Sequence, residues 1–278
     1  MISPQQDWFK RIPQAEQALR LFSDYLLVTG VAHIEPESGG DPALIGTRLG
    51  LVNGSAWITL WANYFGRLFC PGAHLVNVGN EALQMNFMQA HQQGKSVPPK
   101  SNIDLFVSYA RDLVELAQVD AILITCSTMN RAFPAVAEAM QPYGVPVLQI
   151  DRPMMEAAVK HGGRILVVAT HGPTVESTQA LLRQTAADLG TEVAYSGLEV
   201  EEAWQKMAAG DIVGHNRVLA EAIRAKTTIE HIDCVVLAQL SMTVFLLSYP
   251  HPQAELGIPV FTSGKCGFEQ AAELLRNG

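Results

Sequence analysis

Two stretches of this chain read as copies of one another. Val119-Asp120-Ala121-Ile122-Leu123-Ile124-Thr125-Cys126-Ser127-Thr128-Met129 aligns without a gap against Ile232-Asp233-Cys234-Val235-Val236-Leu237-Ala238-Gln239-Leu240-Ser241-Met242. Asp120 faces Asp233, Met129 faces Met242, and mainly apolar residues follow each aspartate. Gly144-Val145-Pro146-Val147 and Gly257-Ile258-Pro259-Val260 then follow, each at the same distance from its own aspartate. Upstream, Arg48-Leu49-Gly50-Leu51-Val52 and Arg164-Ile165-Leu166-Val167-Val168 open the two halves at similar offsets. The period is far longer than that of a solenoid, so the pattern is that of a duplicated domain. In this register Cys126 faces Gln239.

Each half alternates strand-like and helix-like segments. Strands are expected at 48–53, 74–78, 121–125 and 146–150, and again at 164–169, 192–196, 233–238 and 258–262. Helices are expected at 56–69, 103–117, 131–141, 154–161, 174–189, 213–226 and 266–276. Such alternation makes right-handed βαβ units and parallel sheets covered on both faces. The expected fold is therefore α/β: two similar Rossmann-like domains with parallel sheets, related by a pseudo-twofold, with the active site in the cleft between them. A closed (β/α)₈ barrel also accommodates eight strands, but the self-similarity favours two four-stranded halves. Residues 1–44 read as an N-terminal extension, 45–151 as the first domain and 152–264 as the second. The closing helix, 265–278, is free to pack back on the first. Within the extension, 15–27 suits a short helix and 26–34 an edge strand.

The 278 residues carry a formal net charge of −8, which argues against a nucleic-acid or anionic-membrane surface. A small anionic substrate needs only local donors and is not excluded. No signal peptide and no membrane-spanning run is evident, so a cytoplasmic location is expected. The four cysteines, at 70, 126, 234 and 266, have neither metal-site spacing nor a disulfide framework.

Chemistry is expected at the carboxyl ends of the strands, where open parallel sheets bind ligands. There an apolar run ends in Cys126, followed by Ser127, Thr128 and Asn130. Backbone amides at that turn would lower a thiol pKa and hold an anionic oxygen. Cys126 is therefore read as a proton-transfer or nucleophilic thiol rather than as an inert core cysteine. Thr170-His171-Gly172-Pro173-Thr174 closes the first strand of the second half. His171 is a candidate general acid, and Thr174 or a neighbour a candidate helix cap that leaves N–H groups free for a carboxylate. Cys234 and Cys70 read as structural, whereas Cys266, beside Lys265 at a helix start, could be a second reactive thiol. Trp57 and Trp61 could shape an apolar subsite or simply pack in the core.

From about Arg48 onward the chain resembles the aspartate/glutamate/hydantoin racemase superfamily. The resemblance is carried by Thr125-Cys126-Ser127-Thr128, by Val168-Ala169-Thr170-His171-Gly172-Pro173-Thr174 and by Val236-Leu237-Ala238-Gln239. Pro259-Val260-Phe261-Thr262-Ser263 and Asn77-Val78-Gly79-Asn80-Glu81-Ala82-Leu83 add to it. It implies catalysis without pyridoxal phosphate, other cofactors or metal, on a small carboxylate or amino acid. It also implies two cysteines, one from each domain, and chains that can pair as homodimers. Asn53, Ser55, Ser127, Thr128, Thr170 and Thr174 would bind the carboxylate or its neighbour, with Gln239 in the same set. The second cysteine position is occupied by Gln239, and an amide is no acid or base near neutrality. A racemase or isomerase using Cys126, with His171 or Cys266 as the other acid, is the leading reading. A single-cysteine decarboxylase or lyase and a non-catalytic carboxylate binder are the alternatives. A periplasmic-type ligand binder is disfavoured by the missing signal peptide.

Overall fold

The computed structural model describes residues 15–30 and 40–278. Among these, eight strands form two four-stranded parallel sheets. The first contains β1 (Arg48–Asn53), β2 (His74–Gly79), β3 (Ala121–Ile124) and β4 (Val147–Gln149), in the order β2-β1-β3-β4. The second contains β5 (Arg164–Ala169), β6 (Ala194–Glu199), β7 (Cys234–Leu237) and β8 (Val260–Thr262), in the order β6-β5-β7-β8. The two orders are the same, and each sheet keeps its own edge strands, so no closed barrel forms.

The duplication visible in the sequence recurs as hydrogen bonds. Arg48 N donates to Asp120 Oδ2 at 2.7 Å, and Arg164 N donates to Asp233 Oδ2 at 2.6 Å. Asp120 N returns a bond to Arg48 O at 2.8 Å, and Asp233 N one to Arg164 O at 2.9 Å. Each repeated aspartate thus ties the start of one central strand to the other. Further along, Thr125 N donates to Val52 O and Ala238 N to Val168 O, both at 3.1 Å.

Side chains alternate across each sheet and meet apolar partners on both faces. In the first sheet Leu49, Leu51, Ala121 and Leu123 pack with Phe65 and Phe268, while Val52, Ile122 and Ile124 pack with Phe106 and Leu113. In the second, Leu166, Val168, Val235 and Leu237 join Leu219 and Phe245, and Ile165, Val167 and Val236 join Met154 and Leu182. This double covering is why the central strands read as unbroken apolar runs.

Three local expectations change. β6 runs from Ala194 to Glu199 rather than over 192–196; it is an edge strand with no fully buried residue, so no apolar run marks its ends. Residues 26–29 belong to the helix Ala15–Thr29 and not to an edge strand, and 31–34 lie outside the described residues. Two helices, Glu81–Gln92 and Glu201–Ala208, follow β2 and β6 outside the helical segments read from the sequence. The first is capped by the Asn80 side chain, which accepts from Ala82 N at 2.9 Å, and buries Leu83, Phe87 and Ala90. The second is short and buries only Ala203 and Met207.

The last helix, Ser263–Asn277, starts at the end of β8 yet seats Phe268, Ala271, Ala272 and Leu275 against the first sheet. It lies beside the helix Thr59–Phe69, where Gly66 leaves room: a Cβ there would come within 2.5 Å of Leu75 and 3.1 Å of Phe268. One helix therefore joins the cores of the two lobes. Phe268 is fully buried. Phe268→Ala is expected to cost about 3–5 kcal/mol of stability, read from urea unfolding curves.

Candidate active site

The carboxyl ends of β1, β3, β5 and β7 converge on one cavity of about 330 Å³. The first lobe contributes Gly54 and Ser55 after β1, Thr125 to Thr128 after β3, and Gln84 and Met88 from the helix after β2. The second contributes His171 and Thr174 after β5, Gln239 to Ser241 after β7, and Trp204 from the helix after β6. The lining repeats the duplication. Cys126 and Gln239 each stand two residues beyond a strand end, as do Ser55 and His171.

Cys126 leads into a short 3₁₀ turn, Ser127–Ala132, and its Sγ lies 3.2 Å from Thr128 Oγ1. The backbone amides of Thr128 and Met129 favour its thiolate, as the sequence suggests. Burial outweighs them, however, and the buried Asp151 adds repulsion, so the thiol is pushed up rather than down. The expectation of a lowered pKa is thus overturned by desolvation. The sulfur rests against Gly54, where an added Cβ would lie 2.3 Å from Sγ.

Asp151 was not singled out in the sequence. It is fully buried, accepting from Asn130 Nδ2 at 2.8 Å and from Ser263 Oγ at 2.5 Å. Ser263 Oγ lies 3.2 Å from Leu237 O, at the end of β7. The carboxylate therefore joins the Cys126 turn to the strand that delivers Gln239. Burial raises its pKa despite these donors.

Gln239 Oε1 accepts from both Thr170 N and Thr170 Oγ1, each at 2.8 Å. A backbone N–H can only donate, so this bond fixes the oxygen and leaves the Gln239 NH₂ as the free donor. His171 starts the helix Gly172–Asp188, but neither it nor Thr174 caps it with a side chain. Glu199 Oε1 takes the Gly172 N–H at 2.7 Å. The amide expected to await a ligand is therefore occupied by a side chain from the end of β6. Burial pushes the His171 pKa down, against Glu199 and Glu201, so its ring is neutral at pH 7. That ring meets Trp204 edge-on at 5.0 Å.

The model of the family Asp/Glu/Hydantoin racemase matches residues 81–271. This chain belongs to that family. Comparison with curated protein sequences gives no match. An aspartate racemase homologue from Pyrococcus horikoshii OT3 is similar in structure at 17% identity, over 82% of this chain and 99% of that one, with a TM-score of 0.62. An allantoin racemase from Klebsiella pneumoniae aligns at 17% identity over 83% and 87%, TM-score 0.57. A glutamate racemase from Francisella tularensis, in complex with D-glutamate, aligns at 15% identity over 83% and 81%, TM-score 0.58. Their shared fold is the two-domain α/β arrangement seen here.

Against that racemase frame, the residues singled out from sequence divide in two. Cys126, His171, Ser55, Ser127, Thr128, Thr174 and Gln239 line the cavity. Asn53 and Thr170 do not. Asn53 is fully buried, with Nδ2 on Asn77 Oδ1 at 3.0 Å and Oδ1 accepting from Thr125 Oγ1. Thr170 is likewise spent on holding Gln239. The other cysteines stay outside the lining: burial pushes Cys70 and Cys266 up to about 11 and Cys234 to about 12. Cys266 packs against the second lobe's core instead of presenting a reactive thiol. Trp57 lines the cavity, whereas Trp61 packs against the first core. Among the described residues no group of three His, Cys, Asp or Glu side chains could hold a metal ion, and no helix is long and apolar enough to cross a membrane.

Trp204, Gln84 and Met88 went unnoticed because their helices did. Trp204 and Gln84 each lie five residues beyond the end of an equivalent strand, β6 and β2, so the duplication itself was the usable signal. Gly54→Ala is expected to displace the Cys126 sulfur. Turnover should fall by at least about 10²-fold, the lower bound for losing one acid–base group, while far-UV circular dichroism stays unchanged.

Proposed function

We propose that this racemase-family protein is a cofactor-independent isomerase in which His171 and Cys126 transfer protons at the carbon next to a carboxylate. The observation that carries the reading is that, among the described residues, these are the two titratable side chains lining the cavity, one from each lobe, and that burial pushes them in opposite directions. A depressed histidine rests as a neutral base. A raised thiol rests as a protonated acid. Paired groups driven apart in this way mark the base and the acid of a proton-transfer site.

In the forward direction His171 removes the α-proton and the electron pair moves into an enediolate. Cys126 then gives its S–H proton to the carbon, leaving thiolate and imidazolium. Solvent returns one proton to sulfur and takes one from the ring, or the reverse reaction uses the charged pair directly. The developing negative charge needs fixed donors. In this reading the Thr128 amide, the Ser55 and Thr128 hydroxyls and the NH₂ of Gln239, all from cavity-lining residues, supply them. Gln239 thus acts as a donor where a two-thiol enzyme would have its second sulfur. A small carboxylate suits both these donors and the D-glutamate held by the relative from Francisella tularensis.

One observation favours a second reading. Among the described residues no base is hydrogen-bonded to the Cys126 sulfur, and a decarboxylase needs only a proton donor for its enediolate. The two readings separate when small carboxylates are incubated in D₂O and followed by proton NMR. α-Deuteration with loss of optical activity is expected, and release of CO₂ without exchange of the starting acid would sink the isomerase reading in favour of the decarboxylase. Cys126→Ala should lower the rate by about 10²–10⁴-fold. The free enzyme's kcat/KM should fall below pH 6.5, as His171 becomes charged, and again above pH 9.0, as the thiol ionises, with a plateau between.

A further inference from the structure

We propose that the helix Ala15–Thr29, together with the helix Thr59–Phe69 beside it, forms the face through which two copies of this chain pair. Both helices precede residue 81, where the family match begins, and no described residue of either lines the cavity. A lone helix of about 15 residues is marginal in water and persists mostly by packing its apolar stripe. Leu19, Phe22 and Leu26 fall at spacings of three and four, with Tyr25 on the same stripe. Yet these four, and Leu21 and Leu27 with them, are 46–75% exposed. Among the described residues, none of this helix enters a core cluster. The stripe is formed but not covered.

The neighbouring helix extends the face. Leu60, Tyr64 and Leu68 succeed one another at intervals of four and form a second row, 39–52% exposed. Bare side chains of this size present about 150–250 Å² each, so the exposed fractions on the two helices leave roughly 700–1,200 Å² of surface. The largest apolar patch of an ordinary monomer is about 300–600 Å², whereas a stable dimer takes about 800 Å² from each partner. The area exceeds the first figure and brackets the second. Charge selects a second copy as the occupant. The two helices hold two acids, Glu16 and Asp24, and two bases, Arg20 and Arg67, on a chain whose net charge is −8. The face is therefore neutral, and Glu16 and Arg20 already pair with each other at 3.4 Å. It carries no cluster of cations for a lipid or nucleic-acid phosphate surface. A twofold pair meets through the same patch on both sides, which a neutral apolar face permits without like-charge repulsion.

The test is the mass of the full chain in solution, read by sedimentation equilibrium over a range of concentrations. Wild type is expected at twice the mass of one chain. Phe22→Glu combined with Leu26→Glu, on the first helix, should raise the dissociation constant at least about thirtyfold, the scale of a lost hot spot. Tyr64→Glu combined with Leu68→Glu, on the second, should do the same. The two variants change different helices, so the result does not hang on the folding of either, which far-UV circular dichroism checks. The readout needs no substrate and stands or falls apart from the proposed proton transfer. A wild type of single-chain mass would overturn the pairing and leave the face to another segment of this chain or to a different protein. A dimer that both variants leave intact would overturn it as well.

Discussion

Cys126 is held where Gly54, Thr128 and the buried Asp151 leave its sulfur little water. The lost hydration outweighs two amide hydrogen bonds and the Thr128 hydroxyl, so the thiol stays protonated. That balance decides which role the residue can take. A thiolate at rest would be a base or a nucleophile; a protonated thiol is an acid awaiting a carbanion. Across the cleft the same physics acts on a cation: burial disfavours the charged imidazole of His171, the group proposed as the base. One desolvated space thus prepares two opposite groups without any metal or cofactor in the proposed chemistry.

Such tuning requires the two lobes to stay in register, and two features join them. The last helix carries Phe268 from the end of β8 into the first lobe's core. Asp151, between β4 and the helix Arg152–His161, holds Asn130 on one side and Ser263 on the other. Gln239 is locked separately by Thr170, at the end of the neighbouring strand. The Cys126 and Gln239 turns are therefore anchored to strand ends and to each other by buried polar bonds, which are costly to break singly. An amide at position 239 supplies a donor but no acid–base group. The proposed division of labour, histidine with thiol, follows from that.

The central strands, the repeat and the paired aspartates were legible because parallel strands buried on both faces leave continuous apolar runs. Edge strand β6 was not, since its Tyr195 to Glu199 segment has no buried face to mark it. The helix Glu81–Gln92 was legible in principle through Asn80 and the spacing of Leu83, Phe87 and Ala90, but Gln84, Asn86, Gln89 and Gln92 mask that stripe. Of the site, the residues directly following strands could be read, because topology alone brings them together. Asn53 looked like a ligand-binding residue for the same reason, yet its amide is consumed by Asn77 and Thr125, partners far away in the chain. Asp151 was hidden for a related cause: its value lies in contacts to residues 130 and 263, which no local pattern announces. The sign of the thiol shift was likewise out of reach, since amides can be guessed from a turn but the depth of burial cannot.

The most direct measurement is the pH dependence of Cys126 alkylation by iodoacetamide in the folded protein, mapped by peptide mass spectrometry. A buried thiol opening on the cleft should label with a half-point above pH 9.0, and a bound carboxylate should slow that labelling. A half-point below pH 9.0, or a Cys126 that never labels while the protein stays folded, would contradict the account.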